Sequence, residues 1–249
     1  MKENKKIYFA SDAHLGLPSY EKSLEREKLL VKWLDEIKID ASEIYLLGDI
    51  FDFWYEYKKV IPRGFTRFLG KISELTDKGI AVYFFTGNHD LWITDYLPKE
   101  TGVILHREPV TKIINGKKFF LAHGDGLGPG DRGYKRLKKI FTSPILHWLF
   151  SRIHPNAAFS IAHKWSNSSR EAKGLVAESF KGVDKENLVV FAKEELKYEH
   201  FDYMIFGHRH VPIVLQLEDN CQFVNLGDWI THFTYAVFDG DKLELKEYR

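Results

Sequence analysis

The sequence has almost nothing with which to cross-link itself. Of its 249 residues one is a cysteine, Cys221, so no internal disulfide can form and a reducing compartment is the natural setting. No apolar run approaches the roughly 18 residues that span a bilayer, which excludes integral membrane residence but not peripheral attachment. The opening stretch, Met1 to Lys6, is charged and runs straight into a strand-like segment. It lacks the apolar core and small-residue cleavage site of a signal peptide, so the expected location is cytoplasmic. An excess of one charge is also missing. Lys and Arg number 36 against 35 Asp and Glu, for a net charge of +1, and no nucleic-acid-binding motif is visible. No nucleic-acid partner is expected. Internal repeats and low-complexity tracts are absent.

What is present is the composition of a soluble globular protein, 44% hydrophobic and 29% charged. Ile7 to Ala10, Ile44 to Leu47 and Ile80 to Phe85 are short apolar runs that read as buried strands. Between them, Leu29, Leu30, Trp33, Leu34 and Ile37, then Phe65, Phe68, Leu69, Ile72 and Leu75, keep a helical period. Alternating strands and helices predict an α/β architecture with a largely parallel first sheet. Asn115-Gly116, Asp219-Asn220 and Asp239-Gly240 each separate two apolar runs and predict hairpins, and Tyr203 to Phe206 reads as a further strand. The whole reads as two mixed sheets packed together with helices outside. Gly128 to about Gly182 breaks this rhythm. It shows no convincing strand and three helical stretches, broken near Ser143-Pro144 and His154-Pro155. The expectation is a single domain over residues 1–249 with a helical lid inserted at about 128–182.

Five short motifs begin where apolar runs stop: Asp12-x-His14, Gly48-Asp49-x-x-Asp52, Gly87-Asn88-His89-Asp90, His123-Gly124 and Gly207-His208-x-His210. Open α/β sheets place their sites at such strand ends. In Asp-x-His, alternate residues of an extended chain face one side, so both reach one cation, and the same holds for His208 and His210. Carboxylate plus imidazole ligation suits Mn²⁺, Fe²⁺, Zn²⁺ or Co²⁺. No thiolate lies near, which argues against a structural zinc site. Asp12, His14, Asp49, Asn88, His123, His208 and His210 are too many donors for one ion. Two ions about 3.5–4 Å apart, sharing a carboxylate, would use them, activating water and neutralising charge on a phosphoryl oxygen. Singly, each motif is weak, because buried histidines and turn glycines have purely structural uses. The ordered set is what points to chemistry.

That set resembles the calcineurin-like metallophosphoesterases over nearly the whole chain. The resemblance implies an αββα sandwich, in agreement with the strand pattern. It implies that Asp12, His14, Asp49 and His210 hold one ion, and that Asp49, Asn88, His123 and His208 hold the other, with Asp49 bridging. It also implies that His89 stands beside the scissile phosphate as a cation or general acid, with Asp52 orienting and charging it.

A closer resemblance is to the UDP-2,3-diacylglucosamine hydrolases of the lipid A pathway. It is carried by Leu46-Leu47-Gly48-Asp49-Ile50-Phe51-Asp52-Phe53-Trp54, His123-Gly124-Asp125-Gly126-Leu127, Gly133-Tyr134, Ser168-Ser169-Arg170-Glu171-Ala172, Gly207-His208-Arg209-His210-Val211-Pro212 and Leu226-Gly227-Asp228-Trp229. Enzymes of that family cleave the pyrophosphate of UDP-2,3-diacylglucosamine to UMP and 2,3-diacylglucosamine 1-phosphate, with an acyl-binding lid where the insertion lies. The resemblance implies two divalent ions, Mn²⁺ first among them, and a lipidated sugar nucleotide as substrate. It places Asn88, Tyr134, Ser169, Arg170 and Lys173 at that substrate. Two departures go together. His89 stands where well-known members carry Arg, and Asp52 where they often carry Glu, which restores the pairing of the wider superfamily. Lys173 and Val176 replace Asn and Lys contacts to the head group.

From Asp131 to Lys173 there are nine Lys or Arg against two acids, a local charge of +7. The same stretch holds Phe141, Ile145, Leu146, Trp148, Leu149, Phe150, Ile153, Phe159, Ile161 and Trp165. Basic, apolar helices suit an anionic lipid or an anionic inner-membrane surface, which implies a cytoplasmic protein peripheral on that membrane. The plainer reading is a lid whose apolar face is ordinary core. A soluble nucleotide, phosphodiester or phosphoprotein is the alternative substrate, for which long apolar helices are not required. A non-catalytic scaffold on the same fold is the third reading. The presence of all seven donors and His89 argues against it.

Overall fold

The computed structural model describes residues 5–129, 132–161, 179–180 and 182–249, with backbone alone at 132–134. In chain order the strands are β1 (Lys6–Ala10), β2 (Ala41–Leu47), β3 (Ala81–Phe85), β4 (Ile104–His106), β5 (Val110–Ile114), β6 (Lys117–Ala122), β7 (Tyr203–Phe206), β8 (Pro212–Gln216), β9 (Gln222–Leu226), β10 (Thr234–Phe238) and β11 (Leu243–Glu247). The helices are α1 (Tyr20–Ile37), α2 (Thr66–Asp77), α3 (Tyr96–Thr101), α4 (Arg132–Phe141), α5 (Pro144–Phe150), α6 (residues 155–161) and α7 (Asn187–Leu196). One sheet has the order β11-β10-β1-β2-β3-β4 and the other β5-β6-β7-β9-β8. β1 to β4 are parallel, and β10 joins β1 antiparallel, so the first sheet is mixed. The second is mixed as well, with β6, β7 and β9 parallel inside two antiparallel edges.

Alternation along the strands builds the layers. In β1, Ile7 and Phe9 enter the core between the sheets, while Tyr8 and Ala10 enter the core beneath the helices. In β2, Tyr45 and Leu47 face the other sheet, and Ile44 and Leu46 face α1 and α2. In β7, Tyr203 and Ile205 face inward, while Met204 and Phe206 meet Leu188, Val189 and Ala192 of α7. A strand covered on both faces has no polar side, which is why these segments appear as unbroken apolar runs. The result is an αββα sandwich of two mixed sheets flanked by helices.

α1 begins at Tyr20, well before the apolar residues that marked it, because its first half buries polar groups. Ser23, Arg26 and Glu27 are all covered. Glu27 Oε1 accepts the N–H groups of Arg67 (2.9 Å) and Phe68 (3.1 Å), supplying the N-terminal capping that α2 lacks from its own Phe65. Short α3 and β4 escaped the sequence reading because neither is long enough to show a period. All three hairpins form at the expected turns. Asn115 and Gly116 both have positive φ, 48° and 78°, as a tight primed turn requires. Between β6 and α7 the described residues form no strand. α4, α5 and α6 follow one another there, with Pro144 opening α5 after an extended Ser143 and Pro155 opening α6.

Candidate metal centre

The loops that leave the strand ends are stitched to one another. Past β1 and β2, Asp12 N–H donates to Gly48 O (3.0 Å), His14 N–H to Asp49 O (2.9 Å) and Leu15 N–H to Ile50 O (2.8 Å), while Asp52 N–H donates back to Leu15 O (2.9 Å). The loop after β3 is clamped to these by Asp90. Its buried carboxylate accepts from Gly87 N–H (2.7 Å) and Ile50 N–H (2.9 Å). The second sheet is tied in where His208 N–H donates to Asp12 Oδ2 (2.9 Å) and His123 Nδ1 lies 2.8 Å from Leu47 O, while Gly207 N–H donates to His123 O (2.9 Å) within that sheet. Five chain segments distant in sequence thus converge at one edge of the sandwich.

Two groups of donors result. Asp12, His14 and His210 form one, and Asp49, His123 and His208 another, each with donor atoms within 4.8 Å of one another. Asp49 lies between them. Its Oδ2 is 3.6 Å from His14 Nε2 and 3.3 Å from His123 Nε2. Asn88 Oδ1 is 3.4 Å from His123 Nε2, which brings the seventh donor to the second group. A further triple, His14, Asp49 and His89, overlaps both. The structure therefore brings together all seven residues singled out in the sequence, together with His89 and Asp52.

The backbone reason differs from the one expected. Neither Asp12-x-His14 nor His208-x-His210 is extended. Asp12 (φ 54°), His14 (42°), Asp49 (52°), His208 (68°) and His210 (53°) are all left-handed. A non-glycine residue held there costs on the order of 1–3 kcal/mol, and such strain clusters at functional sites. The intervening Ala13 is buried in the helix-side core, which anchors the turn. Three motif glycines make room for donors, Gly87 beside Asp49 Oδ1 among them. A Cβ on Gly48 would lie 2.6 Å from His123 Nδ1, and one on Gly207 would lie 2.6 Å from Asp12 Oδ2.

Electrostatics mark the cluster as built around positive charge. Burial opposes ionisation of Asp49, but His123, His89 and His14 outweigh it and hold the carboxyl well below its usual range. Burial also opposes charge on His14, yet Asp12, Asp52 and Asp49 hold its pKa up at about 9. His123 is raised well above its usual value against burial, chiefly by Asp49. Burial, aided by the charge of His123, depresses His208 to about 4. Asp12 Oδ1 is buried with no hydrogen-bond partner among the described residues, while His210 Nε2 and His14 Nε2 lie 3.4 and 3.8 Å from it. Those are spacings of atoms that share a cation rather than a proton. An oxygen and nitrogen donor set without sulfur fits hard or borderline divalent ions.

Asp52 contacts two histidines. Its Oδ1 is 3.4 Å from His14 Nδ1 and 3.5 Å from His89 Nδ1, while its backbone carbonyl is 2.9 Å from His89 Nδ1. It supports a candidate ligand as much as it supports His89. Three residues were assigned no role from sequence. Asp228 backs His210, with Oδ2 3.4 Å from Nδ1. Asp90 joins the loops. Arg26, from α1, donates to the carbonyls of Ala13 (3.0 Å) and His14 (2.9 Å). Asp228 had a signal, since it follows Phe223 to Leu226, apolar except for Asn225, much as the other site residues follow their strands. Tyr134 falls in α4 with its side chain outside the description, and Ser169, Arg170 and Lys173 lie outside the described residues.

Residues 5–212 match the family model for calcineurin-like phosphoesterases. The chain belongs to the calcineurin-like phosphoesterase family. A relative from Porphyromonas gingivalis named UDP-2,3-diacylglucosamine hydrolase is 40% identical, with 97% of each chain covered. Another of that name from Vibrio atlanticus is 29% identical over 97% of this chain and 96% of its own. Among solved structures, Yfce, a phosphoesterase from E. coli, aligns with a TM-score of 0.45 at 17% identity, covering 97% of this chain and 92% of that one. As a calcineurin-like phosphoesterase the protein is a metal-dependent hydrolase, and the donor groups meeting at Asp49 provide for divalent metal. Among the described residues no helix is long and apolar enough to cross a membrane.

Proposed function

We propose that this phosphoesterase hydrolyses the pyrophosphate of UDP-2,3-diacylglucosamine, giving UMP and 2,3-diacylglucosamine 1-phosphate, with two divalent ions, Mn²⁺ foremost and Fe²⁺, Zn²⁺ or Co²⁺ as alternatives. The observation that carries the reading is an apolar cavity of about 470 Å³ beside the metal centre. It starts one residue past His14 and one past Asp52, at Leu15 and Phe53, and is lined on its far side by Pro155 and Phe159 of α6. A phosphate held at the histidine cluster would thus have an apolar chamber next to it. Burying an acyl chain there gains about 0.8 kcal/mol per CH₂. The names of the two relatives support the same substrate.

Asp12, His14, Asp49 and His210 would hold one ion, and Asp49, Asn88, His123 and His208 the other. Bound there, the ions supply Lewis-acid charge for a phosphoryl oxygen and lower the pKa of a water molecule. His89 is the histidine of the overlapping triple that reaches the surface, with its side chain 23% exposed against 2% for His14. Anchored through Nδ1 to Asp52, it would meet the substrate phosphate and stabilise charge or deliver a proton to the leaving group. Asn88 would serve substrate as well as metal. Tyr134, Ser169, Arg170 and Lys173 are assigned to the head group from the resemblance alone.

We further assign α4 to α6, within the lid at about 128–182, to an anionic inner-membrane surface on the cytoplasmic side. Ile145, Trp148 and Leu149 are exposed, and Arg152 sits over the Trp148 ring at 4.7 Å. From residue 132 to 161 there is no acid. An apolar ridge amid basic side chains suits a peripheral membrane contact. The test of the function is product analysis. Purified protein with Mn²⁺ and UDP-2,3-diacylglucosamine should release UMP and the acylated sugar 1-phosphate, and excess chelator should stop it. Release of no UMP from this substrate, with turnover of a soluble nucleotide instead, would sink the assignment.

A further inference from the structure

The segment α4 to α6 is gripped by its backbone. Trp92 Nε1 donates to Phe141 O (2.8 Å), Tyr55 Oη to His147 O (2.8 Å) and Tyr57 Oη to Ile153 O (3.1 Å). Phe141 ends α4 and Ile153 lies beyond α5, while His147 O, within α5, also accepts Ser151 N–H (3.0 Å). Because the acceptors are carbonyls, the grip does not depend on which side chains the helices carry. The rings add packing. Tyr55 lies 4.8 Å and Trp92 5.0 Å from Phe150, and Phe53 meets Phe159 edge-on at 5.2 Å.

The donors are joined to one another and to the site loops. Tyr55 and Trp92 form an isolated parallel bridge, with their rings edge-to-face at 5.4 Å. Tyr55 follows Asp52 by three residues, and Trp92 follows His89 by three. The same two loops that carry site residues therefore continue outward and clasp α4, α5 and the turn that leads into α6, the helix that lines the apolar cavity. None of the three donors lines that cavity or belongs to the donor groups around Asp49.

We propose that Tyr55, Tyr57 and Trp92 are specificity-determining residues. Their three hydrogen bonds hold α4 to α6 against the core, so that Pro155 and Phe159 close the cavity and a long apolar substituent is preferred. The preference rests on the lipid reading above, while the grip itself does not. The variants Tyr55→Phe, Tyr57→Phe, Trp92→Phe and their triple combination keep the rings and remove the donors. Amide hydrogen exchange across residues 132–161 reads the grip without any substrate. Kinetics on UDP-2,3-diacylglucosamine and on bis(4-nitrophenyl) phosphate read its consequence. With each bond contributing a factor of roughly two to twelve, the triple variant should exchange at least about ten-fold faster in this segment. Its KM for the acylated substrate should rise about ten-fold or more, with the rate on the small diester and the metal content unchanged. Unchanged exchange, an unchanged KM, or an equal fall on both substrates overturns the proposal. If the wild-type protein shows no preference for acylated over non-acylated substrate, the lipid reading fails on its own, and the exchange measurement still decides the grip.

Discussion

The carboxylate of Asp228 stands 3.4 Å from Nδ1 of His210, on the opposite edge of the imidazole from Asp12, which lies 3.4 Å from Nε2. Asp228 is itself fixed by the N–H groups of Thr231 (2.7 Å) and His232 (2.9 Å) on its other oxygen. A carboxylate behind a ligating histidine sets its tautomer and raises its basicity. Asp228→Asn should therefore weaken metal binding by about 10–100-fold while the fold is kept. Chelator competition followed by metal analysis checks this, and unchanged affinity would show that Asp228 only closes a turn.

Asp49 is the shared residue of the centre, within 3.6 Å of His14 and 3.3 Å of His123 through one oxygen. Asp49→Ala should abolish activity and metal content together, because it removes the bridge and leaves two histidines without their carboxylate. Elemental analysis of the wild-type protein should find up to two divalent ions per chain, and of the variant none held tightly. A variant that keeps both ions would contradict the bridging assignment.

Stability of the metal-free protein should have a defined pH dependence. His14 keeps its proton up to about pH 9, against an ordinary value of 6.5, because Asp12, Asp52 and Asp49 outweigh burial. Its stabilising contribution is complete below about pH 6.5 and is lost as pH rises through 9. His208 works the other way. Burial and the charge of His123 depress it to about 4, so the unfolded chain takes up the proton first and stability rises between pH 4 and 6.5. Without metal, the melting temperature should peak near pH 6.5 and fall toward 9. With saturating Mn²⁺ the alkaline fall should vanish, because the ions displace those protons. Calorimetry with and without chelator measures both curves, and a metal-free profile flat from 6.5 to 9 would refute this account of His14.

His89 tests the chemistry apart from the metals. His89→Ala should lower kcat by roughly 10²–10⁴ with metal content retained. His89→Arg separates charge from proton transfer. If Arg restores the rate, the role is electrostatic; if the rate stays low and its pH profile flattens, the imidazole moves a proton.

Much of this is legible in the sequence, for physical reasons. β1, β2, β3 and β7 are buried on both faces, so each is an unbroken apolar run, and the polar residue that ends it marks the site. Asp49, just past β2, and His208, just past β7, were found that way. The left-handed turns at Asp12, His14 and His210 were not legible, because a non-glycine residue gives no local sign that tertiary contacts will force it there. Asp90 and Arg26 stayed hidden because they act on backbone groups of other loops, and backbone groups leave no pattern in side-chain identity. The polar first half of α1 hid its start, since Arg26 and Glu27 are buried to serve neighbouring loops rather than the core.

The most direct test of the central claim is a paired kinetic measurement on the Mn²⁺-loaded protein. It compares kcat/KM for UDP-2,3-diacylglucosamine with that for UDP-glucosamine lacking acyl chains. An apolar cavity of about 470 Å³ that begins one residue past His14 and one past Asp52 predicts a value for the acylated substrate well above the other, and the proposed metal centre predicts loss of both activities with chelator. Equal values for the two substrates would contradict the lipid assignment, and full activity in the metal-free protein would contradict the metal centre itself.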